Sequence, residues 1–310
     1  MRYRQLGRSG LTVSVVGLGC NNFGQRLDAA ATKAVVEAAV EAGITFFDTA
    51  DSYGETNSEV FLGQALQGRR QQVSIATKFG NRHRARPEVA LGSRQHLRWA
   101  VEDSLRRLQT DYIDLYQLHF PDPRTPIEET LAAMDELVRE GKVRYIGACN
   151  MAAWQTVEAE WVARQRHSER FISAQNRYNL LDRSVEQELG PACVEYGIGI
   201  IPFSPLANGL LTGKYRRGEP PPAGTRLATM RRQPLTDDAF DAVDALAAYA
   251  RDRGVSLLDV AIGGLAARPA VGSAIAGATS PEQARANAAA GDWEPAAADQ
   301  AALEKVLGSI

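Results

Sequence analysis

Seven short apolar runs in this chain each finish in a polar residue: Ile44–Asp48, Val73–Lys78, Tyr112–His119, Val143–Asn150, Phe171–Gln175, Gly199–Ser204 and Ser273–Thr279. A core strand has no physical reason to end in a charge or an amide. A barrel whose strands all deliver side chains to one rim does. The tips at Asp48, Lys78, His119, Asn150 and Gln175 follow one another at 30, 41, 31 and 25 residues, which suits βα units with parallel strands. Helical periodicity fills the gaps. Leu97, Val101, Leu105 and Leu108 share a face over Ser93–Leu108, and further helices are expected over Ala31–Glu41, Ser58–Leu66, Pro126–Glu140, Val185–Tyr196 and Asp238–Arg253. Gly43, Gly141 and Gly254 stand at their ends, where a left-handed stop is common. Tyr3–Val13, around Gly7-Arg8-Ser9-Gly10, reads as a hairpin. The sum is an α/β chain: a (β/α)8 barrel with an N-terminal β-hairpin and extra C-terminal helices, one domain over residues 1–310. A doubly wound sheet needs a glycine-rich turn after its first strand, and Gly17-Leu18-Gly19-Cys20-Asn21 does not supply it. Lys214–Pro234, rich in Pro, Gly and Arg, reads as a long loop.

Composition narrows the function. The chain is 45% hydrophobic, enough for a sizeable core, and its formal charge of −2 argues against a nucleic-acid partner. Cys20, Cys149 and Cys193 are too scattered for a disulfide framework or a zinc site. His83, His96, His119 and His167 show no metal-ligand spacing. The longest uncharged stretch, Tyr196–Gly213, is broken by Pro202 and Pro205, and no apolar leader follows Met1-Arg2-Tyr3-Arg4. A cytoplasmic protein without a membrane partner or a metal is expected; the oligomeric state stays open.

Four ionisable residues stand on the expected rim: Asp48, Tyr53, Lys78 and His119. A phenol has a reference pKa of ~10 and alone donates a proton poorly at neutral pH. A nearby ammonium lowers that pKa, and Lys78 is the candidate. Asp48 can fix Lys78 and keep it charged. His119 can hydrogen-bond a substrate oxygen. The set suits proton transfer to a carbonyl or from an alcohol, with hydride supplied by a cofactor. Taken singly, these residues could be a capping carboxylate, a loop anchor, a solvated lysine and a structural histidine. Their coincidence at successive strand exits argues for a site.

Phe47-Asp48-Thr49-Ala50-Asp51-Ser52-Tyr53-Gly54, Thr77-Lys78, Leu118-His119 and Gly141-Lys142-Val143-Arg144-Tyr145-Ile146-Gly147-Ala148-Cys149-Asn150 resemble the signatures of the aldo-keto reductase superfamily, in the branch of bacterial members and potassium-channel β subunits. The resemblance runs from the hairpin to about Asn287. It implies the barrel, an extended NAD(P)H at its C-terminal rim, and a tetrad of Asp48, Tyr53, Lys78 and His119 with Tyr53 as general acid. It implies that Asn150 and Gln175 hold the nicotinamide carboxamide, with Phe203 beneath the ring. Cys149 stands where the family usually has serine, and its thiol is a weaker donor than that hydroxyl.

The segment Ser204, Pro205, Leu206, Asn208, Gly209 offers backbone amides to the pyrophosphate. Gly277, Thr279, Gln283 and Asn287 fall at the adenosine end. There Ser280, Pro281 and Gln283 also form a helix-capping pattern. Lys214 and Arg226 match cationic positions of NADPH-binding relatives, and Arg285 is a further cation. Gly277 and Gln283 replace a stronger cationic pattern, and Glu282 opposes a phosphate. NADPH is favoured over NADH. Asn21, Phe23, Phe79, Phe120 and Arg177, with Asn22, His83 and Met151, are expected around the substrate. The leading function is carbonyl reduction. An NAD-dependent alcohol or sugar dehydrogenase, a cofactor-binding regulatory subunit and a metal-dependent barrel hydrolase are the alternatives, the last disfavoured by the histidine spacing.

Overall fold

The computed structural model describes residues 1–82, 88–229 and 236–308. His83 and the end of the Lys214–Pro234 loop, from residue 230, lie outside them. Strands β1 (Tyr3–Gln5) and β2 (Thr12–Ser14) form the antiparallel hairpin. Eight parallel strands follow: β3 (Val16–Gly19), β4 (Phe46–Asp48), β5 (Ser74–Phe79), β6 (Ile113–Leu118), β7 (Val143–Cys149), β8 (Phe171–Gln175), β9 (Gly199–Ile200) and β10 (Ala274–Gly277). Each pairs with its neighbour in chain order, and β10 returns to β3. The ring closes beyond the regular strands. Ile200 N–H donates to Ala270 O at 2.7 Å, Gly272 N–H to Ile200 O at 2.8 Å and Ile275 N–H to Pro202 O at 2.9 Å.

The hairpin plugs the N-terminal end. Leu6, Leu11 and Val13 pack with Phe46, Ala76, Leu115, Ile172, Ile201 and Ile275 inside the ring. The larger core lies between the outer strand faces and the helices, and includes Phe47, Ile75, Leu97, Val101, Leu131 and Leu137. The helices are α1 (Ala29–Glu41), α2 (Asn57–Ala65), α3 (Arg94–Leu108), α4 (Ile127–Arg139), α5 (Ala153–Arg166), α6 (Leu189–Tyr196), α7 (Arg226–Thr229), α8 (Asp237–Asp252), α9 (Leu257–Ala266), α10 (Pro281–Ala290) and α11 (Ala297–Leu307). Their starts follow from local chemistry. Asp28, Ser93, Thr236, Ser256 and Ser280 each accept a backbone N–H of the first turn. A buried ionic brace joins three elements: Glu59 of α2 accepts from Thr77 of β5 and from Arg107 of α3, both at 2.6 Å.

The sequence pattern does not predict four of these parts: β3, α5, α7 and α9, of which α7 forms one short helical turn inside the Lys214–Pro234 segment expected as loop. Among the described residues no helix is long and apolar enough to cross a membrane.

Candidate active site

Parallel register brings the rim residues together. Asp48 ends β4, and Lys78 lies one residue before the end of β5. Lys78 stands opposite Gln117 of β6, two residues before His119. Lys78 Nζ is buried; it donates to Asp48 Oδ2 and to Thr49 O, each at 2.7 Å. Asp48 Oδ1 accepts from Gln175 Nε2 at 2.8 Å. Tyr53 reaches the cluster from the loop after β4. Its N–H bonds to Ala50 O, and the chain then turns through three left-handed residues, Gly54 (φ 56°), Glu55 (φ 54°) and Thr56 (φ 83°). A Cβ at Gly54 would stand 2.3 Å from Phe23 O, so only glycine fits. Glu55 and Thr56 hold a conformation that costs energy, as turns at functional sites often do. The Tyr53 ring sits 5.0 Å from Lys78 Nζ and 5.9 Å from the His119 ring, edge to face at 80°.

The electrostatics correct one sequence expectation. Burial pushes the Tyr53 phenol up to about 12, even though Lys78 pulls it down. Burial disfavours the Lys78 charge, but Asp48 outweighs it and the ammonium is held. Burial first, then Lys78, lowers His119 to about 3, so its imidazole is neutral. Burial raises the Cys149 thiol, which is therefore not a nucleophile at neutral pH.

The His119 shift makes a stability prediction. Unfolded histidine takes a proton near pH 6.5; folded His119 does not until about 3. The unfolded state binds more protons between these values, so stability falls as pH drops through that window. The full contribution is present above the unfolded pKa, and the loss by pH ~3 is on the order of 4 kcal/mol. Urea midpoints across this range should flatten in His119→Asn; a slope equal to the parent's contradicts the assignment.

A cleft of about 860 Å³ runs along the C-terminal rim from this cluster. Asp48, Tyr53, His119 and Phe120 line one end, and Asn21 lines the cleft too, its Oδ1 3.6 Å from where a Cβ on Gly277 would stand. Phe120 stacks on His119 at 4.7 Å. Asn150 and Gln175 come next. Asn150 is left-handed (φ 57°) and donates from Nδ2 to His119 O at 2.9 Å. Phe203, Ser204, Pro205, Leu206, Asn208 and Gly209 form a wall. Ser204, Ala207, Asn208 and Gly209 are left-handed, the conformation from which anion-binding nests are built. Lys214, Arg226, Gly277, Thr279, Gln283 and Asn287 line the far part. Ser280 Oγ accepts from Gln283 N–H as the cap, while Gln283 Oε1 accepts from Thr279 N–H at 2.9 Å, so only the return bond of the capping pattern falls on Thr279.

Other expectations fail. Phe23 and Phe79 are fully buried and do not reach the cleft; Phe79 stacks on Tyr116 at 4.9 Å. Met151 is core. Arg177 lies outside the lining and pairs with Asp182 at 3.1 Å. Arg285 turns away to Glu41 at 3.5 Å. Arg26, which nothing in the sequence singles out, lines the cleft and donates to Gly224 O. No group of three or more His, Cys, Asp or Glu among the described residues could hold a metal.

An eight-stranded parallel barrel that gathers a phenol, an ammonium, a carboxylate and an imidazole at its carboxyl end is an enzyme scaffold. The aldo/keto reductase family's profile matches residues 15–307, and the chain belongs to that family. It is 39% identical over 293 residues to a probable voltage-gated potassium channel subunit beta of Oryza sativa subsp. japonica, covering 91% of this chain and 89% of the relative. It is 36% identical over 296 residues to the uncharacterized oxidoreductase YrpG of Bacillus subtilis, covering 92% and 89%. It is also 36% identical over 293 residues to a versiconal hemiacetal acetate reductase of Aspergillus parasiticus, covering 84% of each chain. The protein is an oxidoreductase of a family that uses nicotinamide cofactors.

Proposed function

We propose that this protein is an NADPH-dependent reductase of aldehydes or ketones, with Tyr53 as the general acid. The observation that carries the reading is the meeting of Tyr53, the buried Lys78 ammonium and neutral His119 at one end of the long cleft. The residues present fit a nicotinamide dinucleotide. Two amides, Asn150 and Gln175, flank the acid–base end, and His119 Nδ1 is buried there without a partner. The left-handed turns at Ser204, Asn208 and Gly209 suit a pyrophosphate, and Gln283 and Asn287 suit adenosine. When bound, the nicotinamide supplies hydride to the carbonyl carbon.

The chain's own residues manage the proton. At neutral pH the Tyr53 phenol holds its proton. It hydrogen-bonds the carbonyl oxygen and releases that proton as negative charge grows on the oxygen. The phenolate left behind is stabilised by Lys78, which Asp48 keeps charged and fixed. Because buried Nδ1 of His119 has no acceptor for a proton, the neutral ring carries its hydrogen on Nε2. That N–H is a second donor to the carbonyl oxygen. The same groups run backwards for alcohol oxidation, and steady-state constants in both directions decide which prevails.

Lys214, Arg226 and Arg26 line the cleft away from the reacting end and favour a 2′-phosphate. Lys214→Ala combined with Arg226→Ala is expected to weaken NADPH about tenfold, near 1.4 kcal/mol, and to leave NADH binding unaltered. A fluorescence titration reads both. Tighter binding of NADH than NADPH to the parent protein contradicts the preference. The name of the rice relative suggests a second role, a cofactor-binding channel subunit. Binding alone has no need of a phenol set between an ammonium and an imidazole.

A further inference from the structure

Below the cleft lies a polar side chain that the reaction above does not use. Gln117 sits on β6 between Lys78 of β5 and Gly147 of β7 and is fully buried. Its Nε2 stands 3.4 Å from Asp48 Oδ1, the oxygen that also accepts from Gln175 at 2.8 Å. Its Oε1 is buried without a hydrogen-bond partner. Gly147 beside it leaves room. A Cβ there would lie 3.4 Å from Gln117 Cγ and 2.2 Å from Ser173 Oγ. An amide with half its capacity unused costs free energy that an apolar side chain of the same size avoids. For the fold alone Gln117 is therefore a poor choice at this position.

We propose that Gln117 is a positioning residue for Asp48. Its N–H and that of Gln175 hold Oδ1, so that Oδ2 keeps its grip on Lys78 and the ammonium stays beside Tyr53. This rests on the reading of Tyr53 as general acid. The two amides are not equivalent. Gln175 lines the cleft, where the proposed nicotinamide lies, whereas Gln117 does not. Gln117 is thus the donor whose hold on Asp48 is independent of what fills the cleft.

Two variants test this. Gln117→Met removes the donor and also the unsatisfied Oε1. Carbonyl reduction should fall about tenfold in kcat with KM values unchanged and the unfolding midpoint not lowered. A merely structural role gives the reverse, a lower midpoint and an unchanged kcat. Gln117→Glu sets a second carboxyl group against Asp48. The pair then shares one proton: the introduced carboxyl donates to Asp48 while protonated and repels it once ionised. The pH profile of kcat should gain a falling limb above the ordinary carboxylate range, because one member of a close buried carboxyl pair has its pKa raised, and this limb should be absent from the parent and from Gln117→Met. A parental kcat in Gln117→Met, or a parental profile in Gln117→Glu, overturns the proposal. Tyr53→Phe run alongside isolates the underlying reading: if it keeps full turnover, the acid assignment fails. The Gln117–Asp48 pairing is then read by NADP⁺ affinity in Gln117→Glu, which should rise with pH as the introduced carboxyl ionises; a flat profile overturns the pairing.

Discussion

Tyr53→Phe is expected to lower kcat for carbonyl reduction by about 10²- to 10⁴-fold, the usual weight of a general acid, with NADPH affinity preserved. The substitution removes one oxygen and keeps the ring. The edge-to-face contact with His119 and the stack of His119 on Phe120 stay in place. What disappears is the phenol that lies beside Lys78 Nζ in the cleft. His119 remains as a neutral donor and can orient a carbonyl oxygen. Yet it is not expected to replace the proton assigned to Tyr53, because burial keeps its imidazole neutral until the pH falls to about 3. Residual activity that rises below neutrality is not expected. Stopped-flow decay of NADPH absorbance with a small aldehyde reads the effect, and full turnover in the variant contradicts the mechanism.

Lys78→Met is expected to be the most damaging single change to stability, about 3–5 kcal/mol, because it leaves a buried carboxylate without its counter-charge. Asp48 keeps the amides of Gln175 and Gln117, which ease but do not neutralise the charge. Adding Asp48→Asn removes that charge and should return most of the lost stability, since neither partner is then ionised. Both variants should remain inactive, because the Tyr53 phenolate has lost the ammonium that stabilises it. Denaturant midpoints and turnover measured on the same samples separate the two effects. A double variant no more stable than Lys78→Met contradicts the buried-pair account. A double variant with parental kcat contradicts the role of Lys78.

The strand tips are legible because a charge or amide at the end of an apolar run violates the burial rule that shapes the rest of the strand. Strand β3 carries no such tip. Val16–Gly19 is four residues with two glycines, which propensity counts against a strand. A Cβ at Gly17 would stand 2.5 Å from Ile275 Cδ1, so the glycine reflects the narrow ring. Helix α9 is apolar and buried almost throughout, so it shows no amphipathic period. Helix α5 turns Trp154 and Trp161 outward, which blurs its period.

Strand parity alone corrects the expectation at Phe79. Successive residues in a strand face opposite sides, and Lys78 faces inward, so Phe79 must face the helices. The same parity places Gln117 inside with His119. The upward shift of Tyr53 is not legible in the sequence, since burial of a loop residue is a property of the closed fold. Nor is Arg26, which meets Gly224 only because the loops after β3 and β9 converge over the cleft.

Carbonyl reduction in this cleft is read out by following the hydride. The protein is incubated with NADPH deuterated at the transferable C4 position and a panel of aldehydes and ketones, and the alcohols are analysed by mass spectrometry. Deuterium is expected at the carbinol carbon of at least one product, formed by the parent protein and lost in Tyr53→Phe. NADPH that binds in the cleft while no carbonyl acquires deuterium contradicts it.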